Sequence, residues 1–253
     1  ITIIDNRQKR LQNIVSKLMA KFSADSTYVH LGYEAVTLSQ NTVEQLGFAT
    51  DGKDVQMSGR KGIYINADEI IEQLEDRILR ESKKRNQNLT DSELTQISHD
   101  VAIGTIRYEM IKPDLDKIIT FDIDTSLKIE GDTCSYIQYS YARASRILEK
   151  SKTKPDFSTS ISNIKTEYEI NLIKKIGMFQ IQVKDSANNH SPKVIARYCY
   201  SLAVAFSSFY EHVQVLNAES PELLNSRLCL VLSFQNTLKK ALDLLGIVAP
   251  ERM

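Results

Sequence analysis

Apolar residues recur along most of the chain at the spacing of amphipathic helices, and only a few short runs resemble strands. The two longest apolar stripes lie in the last fifty-odd residues. They consist of Leu202, Phe206, Phe209, Val213 and Leu216, and of Leu224, Leu228, Val231, Leu238, Leu242 and Leu245. Recurrence at i, i+3, i+4 and i+7 predicts helices with one buried face. We therefore predict that residues 126–253 form an α-helix bundle that packs as one domain.

Local sequence patterns mark where several of these helices begin and end. Thr90 and Glu93 have the spacing of a capping box, in which each side chain bonds the backbone of the other. Ser191-Pro192 and Ser220-Pro221 each predict an N-cap serine followed by a proline in the first helical position. Gly246 is placed to end the last helix.

The first part of the chain has a different pattern. Thr2-Ile3-Ile4 predicts a short buried strand, a helical stripe runs from Leu11 to Leu18, and strand-like runs follow at 28–31 and 35–38. Ile118–Phe121 is a later strand candidate. Strand, helix and strand in this order fit the end of a parallel α/β unit. A doubly wound domain needs more strands, so we expect earlier parts of it to be missing from this chain. The predicted fold class is mainly α: the end of a parallel α/β nucleotide-binding fold, then an α-helix bundle.

Composition excludes several classes of protein. The 253 residues are 42% hydrophobic and 25% charged, as in ordinary globular proteins. No apolar run approaches the ~20 residues that span a bilayer, so no membrane partner is expected. Three scattered cysteines suit a reducing cytoplasm better than a disulfide framework. Without a CxxC pair, and with four widely separated histidines, no metal site is predicted.

The net charge is zero, which is unusual for a protein that binds nucleic acid. The distribution of charge is more informative than its sum. Residues 7–21 and 143–154 are basic, and an acidic stretch lies at 114–132. Each charged run could equally be a solvated surface with no partner.

Residues 57–62, Met-Ser-Gly-Arg-Lys-Gly, have the composition of a loop that contacts phosphates. Gly59 and Gly62 allow the backbone to turn closely, Arg60 and Lys61 supply positive charge, and Ser58 supplies a hydroxyl. Such a loop can stabilise charge that develops on transferring phosphates. The alternative is a surface loop with two solvated cations.

A second candidate site lies on the predicted helix at 133–150. Tyr136, Tyr139, Arg143 and Arg146 follow at i, i+3, i+7 and i+10, which is one helical face. Tyrosine rings stack on unpaired bases and guanidinium groups hold phosphate, so this face suits single-stranded RNA. The alternative is that the tyrosines are half-buried core residues.

These two segments together resemble a known family. Residues 130–139, Glu-Gly-Asp-Thr-Cys-Ser-Tyr-Ile-Gln-Tyr, resemble the start of the helical anticodon-binding domain of arginyl-tRNA synthetases, the archaeal branch above all. Residues 57–62 resemble the KMSKS-type loop that class I aminoacyl-tRNA synthetases use on ATP. The sequence departs from the family at Gln56 and Gly59, where lysines are common, and at Cys134-Ser135, where the family has Gly-Pro.

The resemblance implies roles for individual residues. It implies catalytic roles for Ser58, Arg60 and Lys61, and ATP contacts for His30, Met57, Gly59 and Gly62. It implies that Gln8, within an Asp-x-Arg-Gln motif, lies beside bound arginine. The tRNA-binding set it implies, together with the helical face above, is Tyr136, Tyr139, Arg143, Arg146, Tyr210 and Met253. For His30 the alternative is a hydrogen-bonded histidine at a strand end, and for Tyr210 it is core packing.

We therefore expect a C-terminal fragment of an arginine–tRNA ligase. Its expected domains are the end of the catalytic fold at 1–75, a helical connector at 76–120 and an anticodon-binding domain at 121–253. The expected partners are tRNA, arginine and ATP, the last a substrate used with Mg, with no tightly bound cofactor. No His-x-Gly-His motif occurs, so this fragment alone is expected to be inactive. The alternatives are a non-catalytic tRNA- or RNA-binding module and a helical interaction scaffold.

Overall fold

The computed structural model describes residues 1–22, 27–47, 55–56, 66–85, 88–158 and 164–253. It divides the chain into two compact units. One contains residues 1–65 and 113–124, and the other contains 66–112 and 125–253. These limits differ from the predicted boundaries at 75 and 120, because the chain leaves the first unit and returns to it once.

The first unit contains short strands and helices. Strand β1 (Thr2–Asp5) leads through a 3-10 turn at Asn6–Gln8 into helix α1 (Lys9–Phe22), and β2 (His30–Tyr33) then pairs with β1 in parallel. The predicted strand–helix–strand unit is therefore confirmed. The apolar side chains of α1 are not covered by the described residues, since Leu11 is 57% exposed and Phe22 is 85% exposed.

A three-stranded sheet completes this unit. Its central strand β3 (Val36–Leu38) is followed by helix α2 (Gln40–Gln45). Strand β3 pairs antiparallel with β4 (Val55–Gln56) and parallel with β5 (Ile119–Phe121). The predicted strand near 118–121 is thus confirmed, and it joins a sheet formed by residues far earlier in the chain. A short helix, α5 (Ile123–Ser126), follows it.

The second unit is helical throughout its described residues. Helices α3 (Ala67–Arg85) and α4 (Asp91–Ile111) precede β5, and five helices follow α5. These are α6 (Cys134–Lys150), α7 (Glu167–Gly177), α8 (Phe179–Asn188), α9 (Lys193–His212) and α10 (Pro221–Leu244). Within the described part of 126–253 no strand forms, in agreement with the predicted helix bundle.

The core of this unit lies between α6, α9 and α10. Phe206 and Phe234 stack with ring centroids 3.9 Å apart, and Ile137, Leu202 and Leu238 are fully buried around them. Both long stripes predicted from the sequence contribute to this core, although Leu216 is 39% exposed. Burial of such side chains stabilises a fold by roughly 1.5–3 kcal/mol each.

The predicted helix ends are mostly confirmed. Thr90 and Glu93 form the capping box at the start of α4, and Ser220 caps α10 with Pro221 as its first residue. Gly246, just after α10, has a positive φ of 66°, a conformation that favours glycine. The prediction was wrong at Ser191-Pro192, because α9 begins at Lys193 and Pro192 occupies the cap position in a helical conformation.

Among the described residues, no helix has both the length and the apolar character that crossing a membrane requires.

Candidate nucleic-acid interface

An open groove of about 850 Å³ lies on the surface of the helical unit. Its walls come from α6, from the end of α9 with residues 213–217, from the last residues of the chain, and from the turn before α4. Five of the six residues predicted to bind tRNA line it: Tyr139, Arg143, Arg146, Tyr210 and Met253. Side chains separated by more than a hundred residues in sequence are therefore brought to one concave surface.

The centre of the groove is a stack of three side chains. The guanidinium carbon of Arg143 lies 4.7 Å from the ring centroid of Tyr139 and 4.4 Å from that of Tyr210. Both distances lie within the range of cation–π attraction. Both tyrosine rings therefore contact the arginine, and Tyr210 is still 43% exposed. The stack thus offers an accessible ring beside a fixed positive charge.

Helix α6 presents this face because its opposite face is buried. Thr133 caps the helix by accepting a hydrogen bond from the backbone N–H of Tyr136 at 3.2 Å. Ile137, Tyr141 and Ala144 are buried in the core, with Tyr141 only 5% exposed. With 3.6 residues in each turn, anchoring these positions inward turns positions 139, 143 and 146 outward.

The charge of the groove is mixed. Its lining includes four cationic side chains, Arg143, Arg146, Lys150 and Arg252, and three carboxylates, Glu149, Glu211 and Glu251. Arg252 and Glu149 approach to 3.8 Å in an exposed pair, which contributes little. Positive and negative side chains thus occur together in the lining, which suits a ligand that combines phosphates with uncharged bases better than a bare polyanion.

Tyr136, the sixth predicted residue, is not among the described residues that line the groove. Its ring lies 5.8 Å from that of Tyr200 and packs against the core from a half-buried position. The predicted shared face of α6 exists, but the groove reaches only its later turns.

The wall formed by residues 213–217 is anchored by a buried ion pair that sequence reasoning missed. The Nη1 atom of Arg227 donates to the carbonyl of Gln214 at 2.9 Å, and its Nε donates to Glu169 at 2.8 Å. Glu169 is 1% exposed and also accepts hydrogen bonds from Thr166, with which it forms the capping box of α7. Burial alone would raise the pKa of the Glu169 carboxyl, but the hydrogen bonds from Arg227 and Thr166 lower it below its ordinary value.

A histidine at the end of α9 was also missed. His212 lines the groove, and its ring stacks on Tyr168 with centroids 4.1 Å apart. Its Nδ1 lies 2.8 Å from the carbonyl oxygen of Ser208, to which it donates. No local pattern distinguishes such a histidine, since the stack joins α7 to α9.

In the first unit, two predicted residues can be located. Gln8 ends the 3-10 turn that follows β1, and its side chain is exposed. His30 begins β2, and its Nε2 lies 3.2 Å from the carbonyl oxygen of Ile4. This hydrogen bond agrees with the alternative interpretation, in which His30 is a hydrogen-bonded histidine at the end of a strand. Gly32 lies nearby, and a Cβ there would lie 1.9 Å from Oδ1 of Asn6, so a larger residue would displace the Asn6 side chain.

The six residues of the predicted phosphate-binding loop, Met57, Ser58, Gly59, Arg60, Lys61 and Gly62, lie outside the described residues. Their assignment stays a prediction from the sequence.

Comparison with known proteins adds independent information. Residues 137–253 match the family described as the DALR anticodon binding domain. The chain is 38% identical over 200 residues to the arginine–tRNA ligase of Methanothrix thermoacetophila, a match that covers 79% of this chain and 36% of that protein. It is 32% identical over 270 residues to that of Thermococcus kodakarensis, covering 100% of this chain and 39% of the relative.

A solved structure gives the same result for the fold. Arginyl-tRNA synthetase of Thermus thermophilus superposes with a TM-score of 0.82 at 32% identity. The match covers 99% of this chain and 40% of that one. The chain therefore spans well under half the length of the proteins that it matches.

Proposed function

The chain belongs to the arginyl-tRNA synthetase family, as its sequence resemblance predicted, and we propose that it supplies the C-terminal, tRNA-binding part of such an enzyme. The ligand of the groove is then the anticodon loop of the tRNA. Unpaired bases stack against Tyr210 and Tyr139, while Arg143, Arg146, Lys150 and Arg252 contact phosphates.

The observation that carries this proposal is the stack of Tyr139, Arg143 and Tyr210 within the residues that match the anticodon-binding family. Buried tyrosines would have favoured the structural alternative. Instead Tyr210 is 43% exposed in an open groove, next to a cation whose position is fixed. Exposed rings beside guanidinium groups are typical of surfaces that bind single-stranded RNA.

The parent reaction we propose joins arginine to tRNA through an arginyl-adenylate and consumes ATP with Mg. In the parent, Ser58, Arg60 and Lys61 stabilise charge on the phosphates, and Met57, Gly59 and Gly62 shape that loop. Gln8 contacts arginine, and His30 borders the adenosine. The exposed apolar face of α1 supports a larger parent domain, since such a face is ordinarily covered. A cytoplasmic location, where translation proceeds, is part of the proposal.

The role of the loop is tested in a full-length parent enzyme. Lys61→Ala should lower the rate of arginine activation more than it weakens tRNA binding, because the lysine acts on charge that develops in the transition state. Pyrophosphate exchange and tRNA titration measure the two effects separately. An equal loss in both would contradict the assigned role.

The tRNA-binding function is tested directly on this chain. Titration with an arginine-accepting tRNA at several salt concentrations should give saturable binding whose affinity falls as salt rises. A tRNA for another amino acid is the matched control and should bind more weakly. A helical interaction scaffold would bind neither. A non-catalytic RNA-binding module would also bind the arginine tRNA as proposed. In that case its full-length parent would show no arginine activation for Lys61→Ala to lower.

A further inference from the structure

The last eight residues of the chain, 246–253, form a tail that leaves the end of α10 and lies against α4 and α6. Ile247 is 1% exposed and Ala249 is 9% exposed, so the first half of the tail is packed into the unit. Residues 251–253 emerge from this packed half and line the groove. Whatever fixes the packed half therefore decides where this wall of the groove lies.

Two side chains bind the backbone of the tail. The Nη1 atom of Arg107, on α4, donates to the carbonyl of Gly246 at 2.8 Å. The Nε2 atom of Gln138, on α6, donates to the carbonyl of Val248 at 2.8 Å, with the carbonyl of Asp100 at 3.4 Å. Gln138 thus joins two helices and the tail, three residues before the tail enters the groove lining at Glu251.

The buried glutamine at this junction is not explained by stability. Gln138 is fully buried, and its Oε1 has no hydrogen-bond partner among the described residues. A buried acceptor without a partner destabilises a fold, and an apolar side chain of similar size would avoid that penalty. The feature that only the glutamine provides is a directed N–H group toward Val248.

The neighbouring helix is shaped to accept this amide. A Cβ at Gly104 would lie 2.9 Å from Nε2 of Gln138 and 3.2 Å from Cγ2 of Ile247. Any larger residue on this face of α4 would displace the amide, the tail or both. Glycine at 104 therefore gives the glutamine and the tail room to meet.

We propose that Gln138 is a positioning residue for RNA binding, which holds Val248 so that residues 251–253 stand on the wall of the groove. The inference rests on the proposed function of the groove and extends it to a residue that does not contact RNA. Gln138 directly precedes Tyr139 in α6, so one helix fixes both the stacking platform and the facing wall. Arg252 also pairs with Glu149 at 3.8 Å, but this pair is exposed and too weak to replace the contact of Gln138.

The experiment combines Gln138→Leu with a truncation that removes residues 251–253. In the full chain, Gln138→Leu should weaken tRNA binding about two- to tenfold, the range of one hydrogen bond. In the truncated chain the same substitution should have no further effect, because the wall it positions is gone. Equal weakening in both backgrounds, or none in the full chain, would overturn the proposal.

A measurement without RNA separates this inference from the proposed function. The ε-methyl signal of Met253, observed by NMR and assigned with Met253→Leu, should sharpen and move toward its free value in Gln138→Leu. The signals of Met110 and Met178 should stay in place. An unchanged Met253 signal would overturn the positioning role even if the groove binds tRNA. If the Met253 signal changes in Gln138→Leu but the wild-type chain does not bind tRNA, the proposed function is wrong and the role of Gln138 in positioning the tail is still supported.

The matched control is Gln235→Leu. Gln235 donates to Ser145 of α6 at 2.7 Å, and among the described residues it makes no hydrogen bond to the tail. Its loss should leave the Met253 signal unchanged and should act on tRNA binding equally with and without residues 251–253. If Gln138→Leu fails to fold, Gln138→Met removes the same donor with a more flexible side chain. The new methionine adds one ε-methyl signal, which is identified by comparing the spectra of this variant and the wild type.

Discussion

At the scale of single residues, the arrangement of Arg143 decides how the groove can bind RNA. Its guanidinium carbon lies 4.7 Å from the ring centroid of Tyr139 and 4.4 Å from that of Tyr210, so two tyrosine rings contact the group. A guanidinium carries five N–H donors, all in its plane. Arg143 can therefore donate to a phosphate while it keeps its cation–π contacts with the two rings.

Substitution of Arg143 separates its charge from its shape. Arg143→Ala should weaken tRNA binding and reduce the salt dependence by about one counterion, if the group contacts one phosphate. Arg143→Lys should keep that salt dependence but lose affinity, because an ammonium group lacks the planar shape with which a guanidinium contacts aromatic rings. Affinity measured against salt concentration gives both quantities. Arg197→Ala, an exposed arginine of α9 outside the groove lining, is the control and should change neither.

The tyrosines should divide into two classes. Tyr210→Ala should cost about 1–3 kcal/mol of binding, with little change in salt dependence, because a stacked ring releases no ions. Tyr141→Ala should instead lower the free energy of unfolding by about 3–5 kcal/mol, because that ring is buried in the core. Thermal melts and tRNA titrations of both variants check this division.

The variant Tyr136→Ala tests whether this residue binds RNA, as the sequence predicts, or stabilises the core, as its packing indicates. Its half-buried ring beside Tyr200 predicts a loss of stability larger than the loss of binding. A strong binding defect with an unchanged melting temperature would restore Tyr136 to the RNA-binding set.

The candidate site was predicted from sequence where its residues share one helix. Tyr139, Arg143 and Arg146 follow from helical spacing, which fixes their common face before any fold is known. Tyr210 and Met253 came only from family resemblance, since nothing local joins them to α6. Arg227, His212 and Gln138 were missed because their contacts join distant segments.

At the scale of elements, caps and ion pairs determine how firmly the groove walls are held. Helix α7 begins with a capping box whose glutamate is buried, whereas the glutamate of the box at α4 is exposed. Only the buried one, Glu169, also binds Arg227 and so supports the wall at Gln214. The same sequence motif therefore has a larger structural role in α7 than in α4.

The pH dependence of stability should reveal this difference. The pKa of Glu169 in the fold lies below its ordinary value of 4.5, so its carboxylate stabilises the fold above that pH. This stabilisation is lost as pH falls through the lowered pKa. Glu169→Gln should thus destabilise the protein by roughly 3 kcal/mol at neutral pH, since it breaks a buried ion pair.

Melting temperatures from pH 3 to 8 provide the measurement, with Glu93→Gln as the control. Hydrogen bonds from Thr90 lower the pKa of Glu93 too, but its exposure predicts a much smaller effect. The difference in melting temperature between the wild type and Glu169→Gln should become smaller as pH falls below about 4.5. A difference that stays constant down to pH 3 would show that the charge of Glu169 is unimportant.

Most helix ends were predictable because capping depends on residues within one turn. Thr90, Glu93, Ser220 and Gly246 all occupy the predicted positions. The start of α9 was misplaced by one residue, because Pro192 is compatible with both the cap and the first helical position.

At the scale of the whole molecule, the path of the chain could not be predicted from local pattern. The strand Ile119–Phe121 was predicted, but its partner Val36–Leu38 lies about eighty residues earlier. Hydrophobic alternation identifies a strand and does not say which strand it joins. Residues 66–112, which include most of the connector predicted at 76–120, belong to the same compact unit as the bundle.

The whole chain should bind tRNA without activating arginine. The sequence contains the predicted phosphate-binding loop, but no His-x-Gly-His motif accompanies it. Arginine-dependent pyrophosphate exchange by the purified chain should be undetectable, with a full-length relative as the positive control. Measurable exchange would mean that the ATP site is complete within these residues.

The central claim is that the groove holds unpaired nucleotides of the anticodon loop. The most direct measurement compares the binding of two RNAs at one salt concentration: the anticodon stem-loop of an arginine tRNA, and the same stem with its loop closed by base pairs. The wild-type chain should prefer the open loop, and Tyr210→Ala should lose that preference while it still binds both RNAs weakly through phosphate. Equal binding of the two RNAs by the wild type, or a preference that survives Tyr210→Ala, would contradict the account.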